Sequence, residues 1–210
     1  MLISMQELKR SHACLPSGVI HIGAHLGEEL RDYLDVGVKN ILWVEANPKV
    51  YTRLCQNVFN HAGSRCLNAL VSDSDDKECL FRITNNGESS SMLPLKEHLV
   101  EHPHIFVEEI IKLKSARFDR LCEKEQVSLK LYDFINLDIQ GAELMALQGM
   151  GEALRTAKYV YLEVNTKEIY EGCAFQNEIE DHLEQYGYRL AEQKILTHGW
   201  GDAFYIKESR

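Results

Sequence analysis

The chain has 210 residues, of which 45% are hydrophobic and 26% charged, and this is the composition of an ordinary globular domain. Its formal net charge of −9 argues against a nucleic-acid partner, because phosphate binding requires clustered Lys and Arg residues. The six Cys residues form no Cys-x-x-Cys pair, and no apolar run approaches the ~20 residues of a membrane span. These features predict a reduced, cytoplasmic protein without a membrane span.

The first half of the chain alternates short apolar segments with helical patterns. Asn47 followed by Pro48 predicts the start of a helix, since Asn caps helix N-termini and Pro suits the first helical position. Residues 1–16 are predicted to be an N-terminal extension. Strands are predicted at residues 18–23, 40–45, 65–71 and 78–84.

The second half continues this alternation but ends with two strands that have no helix between them. A helix is predicted from Ala142 onward, and an amphipathic helix closes at Gly187. The last two predicted strands have only a loop through residues 199–202 between them, so we expect them to pair as an antiparallel hairpin. The predicted strands are residues 106–113, 116–118, 133–138, 159–165, 188–193 and 203–207. The whole pattern predicts a single α/β domain with a mostly parallel sheet and helices on both faces.

Polar residues stand at the ends of the predicted parallel strands. Ligands bind at the carboxyl ends of the strands in an open parallel sheet, so these side chains are expected to meet in one crevice. The residues concerned are Gly23 to Gly27, Glu45, Asn68, Asp138, and Glu163 to Asn165. Their agreement predicts a binding site at this edge.

The turn at residues 23–27 and the acid at Glu45 indicate a cofactor that carries a ribose. The turn, Gly-Ala-His-Leu-Gly, lets a ligand approach the backbone at a helix N-terminus. Glu45 lies 22 residues after Gly23, which is where an acid grips ribose hydroxyls in such folds. NAD and S-adenosylmethionine both carry this diol. His25 and Glu28 stand where a dinucleotide-binding pattern needs Gly, which favours S-adenosylmethionine.

Asp138 ends an apolar strand and precedes a tight turn that directs it into the crevice. Two roles fit this carboxylate. It takes a proton from an acceptor hydroxyl, or it holds the substrate or a divalent metal together with Glu143 and Asn165. His25, in the turn that faces the cofactor, is a second candidate for the base or for a contact with the methionine carboxylate.

The other histidines are weaker candidates for a functional role. His21 lies in a buried strand and is predicted to be a core residue. His98, His102 and His104 lie close together around a Pro, and a solvated surface is predicted there rather than a metal site. His198, in a Gly-containing loop, is a candidate lid residue.

Short motifs spread from about residue 17 to residue 207 occur in an order typical of one family. Three of them read Ile-Gly-Ala-His-Leu-Gly, Trp-Val-Glu-Ala-Asn-Pro and Asp-Ile-Gln-Gly-Ala-Glu, and the last is the most specific. The motifs are residues 20–28, 43–48, 68–69, 89–91, 136–144, 163–165 with Tyr170, and 200–203. They resemble the FkbM family of S-adenosylmethionine-dependent methyltransferases, which mostly act on oxygen.

The resemblance implies a class I methyltransferase (Rossmann-like) fold, with a seven-stranded sheet that ends in an antiparallel hairpin. It also implies the cofactor contacts. Asp138 would lie beside the reactive methyl, and Asn136 stands where many members carry Lys, which removes a positive charge there. The other implied contacts are Gly23, Ala24, His25 and Gly27 at the methionine, Glu45 and Ala46 at the ribose, Asn68 and Ala69 at the adenine, and Ser90 and Ser91 near the cofactor or acceptor.

The predicted function is transfer of a methyl group from S-adenosylmethionine to a hydroxyl of a sugar, a glycan or a small-molecule natural product. Asp138 and His25 are the predicted catalytic residues, and no metal is assigned. Residues 85–121 are predicted to be an insertion that shapes the acceptor site. The alternatives are an NAD-dependent oxidoreductase and a non-catalytic binding module with a methyltransferase-like fold.

Overall fold

A seven-stranded sheet runs through the centre of the computed structural model, which describes residues 1–208, without the side chains of residues 100 and 101. In chain order the helices and strands are α1 (Met5–His12), β1 (Gly18–Ile22), α2 (Leu30–Asp35), β2 (Asn40–Glu45), α3 (Pro48–Val58), β3 (Ser64–Asn68), β4 (Leu70–Val71), β5 (Glu78–Thr84), α4 (His98–Glu101), β6 (Val107–Ala116), α5 (Phe118–Lys124), a 3₁₀ turn (Leu129–Leu131), β7 (Phe134–Leu137), α6 (Glu143–Gln148), α7 (Glu152–Thr156), β8 (Tyr159–Asn165), α8 (Gln176–Glu184), β9 (Tyr188–Ile195) and β10 (Trp200–Lys207).

The strand order of the main sheet is β3-β2-β1-β7-β8-β10-β9. Neighbouring strands from β3 to β8 are parallel, and β10 is antiparallel to both β8 and β9. The predicted mostly parallel sheet with a C-terminal antiparallel hairpin is therefore confirmed. The strand order reverses between β1 and β7, and a binding crevice opens beyond the carboxyl ends of strands at such a point.

Helices cover both faces of the sheet, as predicted. Side chains alternate between the faces along each strand, so Val19 and Ile20 of β1 join different apolar clusters. The cluster that contains Ile20 takes its helical residues from α5, α6, α7 and α8. The cluster that contains Val19 takes them from α1, α2 and α3.

The N-terminal segment, residues 1–16, contributes to this second cluster through α1. The helix begins after Ser4, whose hydroxyl accepts the Glu7 N–H at 3.3 Å while the Glu7 carboxylate accepts the Ser4 N–H at 2.8 Å. Met5 and Leu8 are fully buried. The helix was not predicted, although Ser4 and Glu7 have the spacing of a capping box, which is a local sign of a helix start.

The prediction of a single strand at residues 65–71 is wrong, because this segment forms two strands. The strand β3 ends at Asn68, and the Ala69 N–H donates to the Glu45 carbonyl oxygen at 3.2 Å. The next two residues, β4, pair instead with β6 in a second sheet of order β4-β6-β5. The sequence of this segment does not indicate which of the two sheets each of its residues joins.

Two other segments also differ from the predictions. A single long strand, β6, runs to Ala116, and the helix α5 begins at Phe118, so residues 116–118 are not a separate extended piece. Residues 200–202, predicted to be in a loop, begin strand β10. The Asn47 cap is confirmed, since its Oδ1 accepts the Lys49 N–H at 3.0 Å.

All six cysteines are free thiols. No helix in residues 1–208 combines the length and the apolarity that crossing a bilayer requires.

Candidate active site

The turn after β1 brings the backbone against the end of β7. Gly23 has a φ of +83°, and a Cβ built there would lie 1.8 Å from the carbonyl oxygen of Asp138. The Gly23 and Ala24 N–H groups donate to the Val44 carbonyl oxygen at 2.9 and 3.1 Å. The turn thus joins the ends of β1, β2 and β7, and only glycine fits at its first position.

Glu45, the last residue of β2, is buried beside this turn. Its Oε2 accepts the His25 N–H at 3.0 Å, and its Oε1 accepts the Asn47 N–H at 2.7 Å. Burial raises the pKa of this carboxyl, and the two backbone donors oppose the rise. Each oxygen keeps an acceptor position, so the carboxylate can still bind a vicinal diol.

A narrow slot of about 50 Å³ runs beside Glu45, with apolar walls that include Val50, Leu70 and Phe81. Ligand sites usually enclose about 300–1,000 Å³, so this slot is too small for a nucleoside as it stands. Gly87 belongs to the turn that covers the slot, and a Cβ built on it would lie 3.1 Å from the His25 Nε2. A nucleoside therefore enters only if the slot widens, and this turn is one of its walls.

A second cavity, of about 490 Å³, adjoins the slot. Gly23, His25, Glu88 and Asp138 line both spaces, and these four residues are called the shared wall. Tyr170, which is buried, and the half-buried Trp200 also line the larger cavity. Within the described residues its lining contains no Lys or Arg, and its carboxylates are Glu28, Glu29, Glu88, Asp138, Glu163 and Asp202.

Asp138 belongs to a cluster of acids around the end of β7. The Gln140 Nε2 donates to Asp138 Oδ1 at 2.6 Å and to Glu163 Oε2 at 3.2 Å. Burial raises the pKa of both carboxyls, most strongly that of Glu163, which also faces the charges of Asp138 and Glu143. Both acids therefore hold a proton more readily than exposed carboxyls do.

Residues 21–190 match the model of the methyltransferase FkbM domain. The chain belongs to the FkbM methyltransferase family. A 2-O-methyltransferase, NoeI, of Sinorhizobium fredii is 26% identical over 161 residues, which are 73% of this chain and 65% of NoeI. The predicted family is thus confirmed, and the match spans less than two thirds of that relative.

Solved structures share the fold at low sequence identity. A SAM-dependent methyltransferase from Aquifex aeolicus aligns with a TM-score of 0.52 at 14% identity, covering 98% of this chain and 90% of its own. Aeropyrum pernix fibrillarin with bound S-adenosyl-L-methionine aligns with a TM-score of 0.52 at 14% identity, over 90% of this chain and 66% of its own. The class I methyltransferase fold is therefore confirmed.

Most of the residues predicted to contact the cofactor line one of the two spaces. Ala24 lines the larger cavity. Those along the slot are Gly23, His25, Glu45, Ala46, Ala69, Ser90 and Asp138.

The other three are not among the lining residues. Gly27, with a φ of +77°, allows close packing, since a Cβ there would lie 2.9 Å from Val58 Cγ1. The Asn68 amide donates to the carbonyl oxygens of Glu45 and Ala46 at 2.7 and 3.1 Å. Ser91 is buried, and its hydroxyl donates to the Gln140 carbonyl oxygen at 2.7 Å. Cofactor contacts by these three residues, as by those that line the two spaces, stay predictions.

The histidines divide between the core and the cavity. His21 is buried with its Nδ1 3.2 Å from the Tyr33 hydroxyl, and burial lowers its pKa to about 4, so the core prediction is confirmed. The Asn136 Nδ2 also donates to the Tyr33 hydroxyl, at 2.7 Å. Asn136 is not among the residues that line the larger cavity. The solvated prediction is wrong for His98, which is 8% exposed and lines the larger cavity with His102 and His104. The backbone N–H of His98 donates to the Ile169 carbonyl oxygen at 3.2 Å, and local sequence cannot show such a long-range pairing.

A metal held by Asp138, Glu143 and Asn165 stays a prediction, and the last two side chains have different surroundings. The Glu143 Oε1 accepts the N–H groups of Ile139 and Gly141 at 3.1 and 3.2 Å, which stabilises the turn after β7. Asn165 is fully buried and its amide atoms have no hydrogen-bond partner. Within residues 1–208, no group of three or more His, Cys, Asp or Glu side chains is arranged to hold a metal ion.

We expect the Glu143→Gln variant to unfold less readily than the wild type at pH 7. Burial raises the pKa of Glu143 to about 7, so the folded state favours the protonated acid. Below the ordinary pKa of Glu this shift leaves the free energy of unfolding unchanged. As the pH rises it lowers that free energy, by up to about 3 kcal/mol near pH 7. Gln keeps the acceptor oxygen and removes the titration.

Urea unfolding of both proteins at a series of pH values checks this expectation. The stability gap in favour of the variant should widen as the pH rises from about 4.5 to 7. A difference in stability that stays constant over that range would show that folding does not shift the pKa of Glu143.

Proposed function

We propose that this chain transfers a methyl group from S-adenosylmethionine to a hydroxyl oxygen. The observation that carries the proposal is the position of Asp138, which lines both the slot beside Glu45 and the larger cavity. A group at this boundary can reach a cofactor on one side and an acceptor on the other. The cofactor supplies an electrophilic methyl group, so the protein has to align the acceptor and remove its proton.

The chemistry of the slot fits S-adenosylmethionine. Apolar walls suit an adenine ring, and the Glu45 carboxylate suits a ribose diol. The acids around the shared wall suit the positive charge of a sulfonium, whereas the pyrophosphate of NAD would face Glu28 and Glu88. These features, together with membership of a methyltransferase family, favour S-adenosylmethionine over the NAD-dependent alternative.

The larger cavity fits an acceptor with hydroxyl groups. Carboxylates accept hydrogen bonds from hydroxyls, and the ring of the half-buried Trp200 offers a flat apolar surface. A hydroxyl is a poor nucleophile until it loses its proton, so Asp138 is the proposed base. The name of the relative NoeI, a 2-O-methyltransferase, agrees with an oxygen acceptor. We propose a sugar, a glycan or a small natural product as the acceptor, and no nucleic acid.

His25 is the second candidate for the base. It lines both spaces, and its Nδ1 lies 2.8 Å from Glu28 Oε1, so its Nε2 can accept a proton while Glu28 stabilises the imidazolium. A non-catalytic binding module would have no use for either group at this boundary.

The direct test is incubation with S-adenosylmethionine, labelled with ¹³C in the methyl group, and a panel of methyl glycosides. We expect S-adenosylhomocysteine to form, and NMR to find the label on an ether oxygen. Tight binding of NAD without binding of S-adenosylhomocysteine would contradict the proposal. Binding of S-adenosylhomocysteine with the label recovered only on nitrogen or carbon acceptors would contradict the oxygen assignment.

Glu45→Gln is expected to weaken the binding of S-adenosylhomocysteine by about 10- to 100-fold, because a neutral amide cannot accept both ribose hydroxyls. Calorimetric titration measures the Kd. Hydrogen exchange of residues 85–91 should change on ligand addition to the wild type, because the slot must widen and the turn over it is one of its walls. The control is Glu109→Gln, an exposed acid paired with Lys49 at 2.6 Å, which should leave the Kd unchanged. An unaltered Kd in Glu45→Gln would remove Glu45 from the proposed site.

A further inference from the structure

Gln140 has a backbone conformation that places its side chain among the acids of the site. Its φ is +58°, in the left-handed region that non-glycine residues rarely adopt. Its Nε2 lies 2.6 Å from Asp138 Oδ1 and 3.2 Å from Glu163 Oε2. One amide nitrogen therefore donates its two hydrogens to two different carboxyl groups.

Tyr170 fixes the other end of this amide. Its hydroxyl donates to Gln140 Oε1 at 2.5 Å. If the amide turned over, its oxygen would face the two carboxyls, and Nε2 would donate to the Tyr170 hydroxyl instead. The orientation with Nε2 toward the acids therefore keeps both bonds to the carboxyls and avoids repulsion between oxygens.

Tyr170 is itself held tightly between the turn after β7 and the segment that borders the larger cavity. It is fully buried, and a Cβ on Gly141 would lie 3.0 Å from the Cβ of Tyr170. Tyr170 pairs with Leu95, and the Glu171 N–H donates to the Pro94 carbonyl oxygen at 2.8 Å. The ring thus links the acids to the wall on the acceptor side.

Among the described residues, only one oxygen of the Asp138 carboxylate has a hydrogen-bond donor. Gln140 donates to Oδ1, so Oδ2 is the atom available to an acceptor hydroxyl. The neutral amide also lets the two carboxyls stay close, since it donates to both without adding charge. The hydrogen bond from Gln140 opposes the effect of burial on the pKa of Asp138, and so favours its ionised form.

We propose that Gln140 and Tyr170 are positioning residues, which orient Asp138 so that one carboxylate oxygen faces the acceptor. The assignment rests on the proposed role of Asp138 as the base. Neither residue touches the reacting atoms. They act through the orientation and the ionisation of Asp138.

Tyr170→Phe tests the proposal, since it removes only the hydroxyl that donates to Gln140 Oε1. The first readout is ¹³C NMR titration of the side-chain carboxyls, assigned with Asp138→Asn and Glu163→Gln. We expect the pKa of Asp138 to rise in Tyr170→Phe, because the donated hydrogen bond weakens. The second readout is turnover of whichever methyl glycoside the wild type methylates. We expect kcat to fall about tenfold, its pH profile to move to higher pH, and KM for S-adenosylmethionine to stay unchanged.

Two further variants make the test decisive. Gln140→Asn keeps an amide that tolerates a positive φ but is too short to reach both carboxyls, so it should shift the titration in the same direction. Tyr188→Phe removes a buried hydroxyl that donates to the Leu154 and Ala157 carbonyl oxygens, away from the site. It should lower stability and leave the pKa of Asp138 and the pH profile unchanged.

An unchanged titration of Asp138 in both Tyr170→Phe and Gln140→Asn would overturn the assignment. Equal pH profiles for Tyr170→Phe and Tyr188→Phe would also overturn it, since the role of Tyr170 would then be structural. If the wild type methylates no probe, the proposed function fails separately, and the carboxyl titration still decides the positioning role.

Discussion

Replacing Asp138 with Asn is expected to lower the rate of methyl transfer by about 100- to 1,000-fold, because a positioned general base contributes roughly this much. The variant keeps the shape of the side chain, and its Oδ1 can still accept the bond from Gln140 Nε2. It cannot remove the proton of the acceptor hydroxyl. Binding of S-adenosylhomocysteine, measured by calorimetry, should change by only a few-fold.

A matched control lies at the opposite end of the same strand. Asp133 precedes β7, and its carboxylate accepts the Ser17 N–H at 2.7 Å and pairs with Lys158 at 3.0 Å. Asp133→Asn should reduce stability without a large loss of turnover in the remaining folded protein. Full activity in Asp138→Asn would refute its role as the base and direct attention to His25.

Gly23→Ala is expected to destabilise the fold by about 3 kcal/mol or more, which lowers the Tm by roughly 6–12 °C in a chain of this length. Two effects add. The φ of +83° disfavours a side chain, and the new Cβ would overlap the Asp138 carbonyl oxygen, 1.8 Å away in the present geometry. Relief of the overlap separates the ends of β1 and β7, so cofactor binding should weaken as well.

The second effect can be isolated with Gly187→Ala. Gly187 has a φ of +82°, and apart from Gly187 and its two chain neighbours no atom of the described residues lies within 4 Å of a Cβ built there. This control has the backbone strain without the overlap, so its loss of stability should be clearly smaller. Equal losses in the two variants would mean that the close approach at Gly23 contributes nothing.

The framework of the site could be predicted because its elements carry local signals. The strands β2 and β8 are short apolar runs that end on Glu45 and Asn165, and the cap at Asn47 is a local hydrogen bond. The convergence of Gly23, Glu45 and Asp138 follows from parallel pairing, since parallel strands end at the same edge. Each of these inferences needs only a few neighbouring residues.

The remaining features depend on contacts that are distant in sequence. The chain changes sheets at Ala69 because β4 pairs with β6, more than 40 residues later. His98 is buried because its backbone pairs with Ile169. Gln140 was part of a recognised motif, yet its link to Tyr170 depends on a positive φ and a buried ring 30 residues away. Single-sequence patterns carry no signal for such pairings.

A crystal structure with S-adenosylhomocysteine would test the central claim most directly, because the sulfur marks where the methyl group would be. We expect the adenine in the slot, the ribose hydroxyls on Glu45, and the sulfur at the shared wall, facing Asp138 and open to the larger cavity. A nucleoside bound outside the slot, or a sulfur that points away from the larger cavity, would contradict the account.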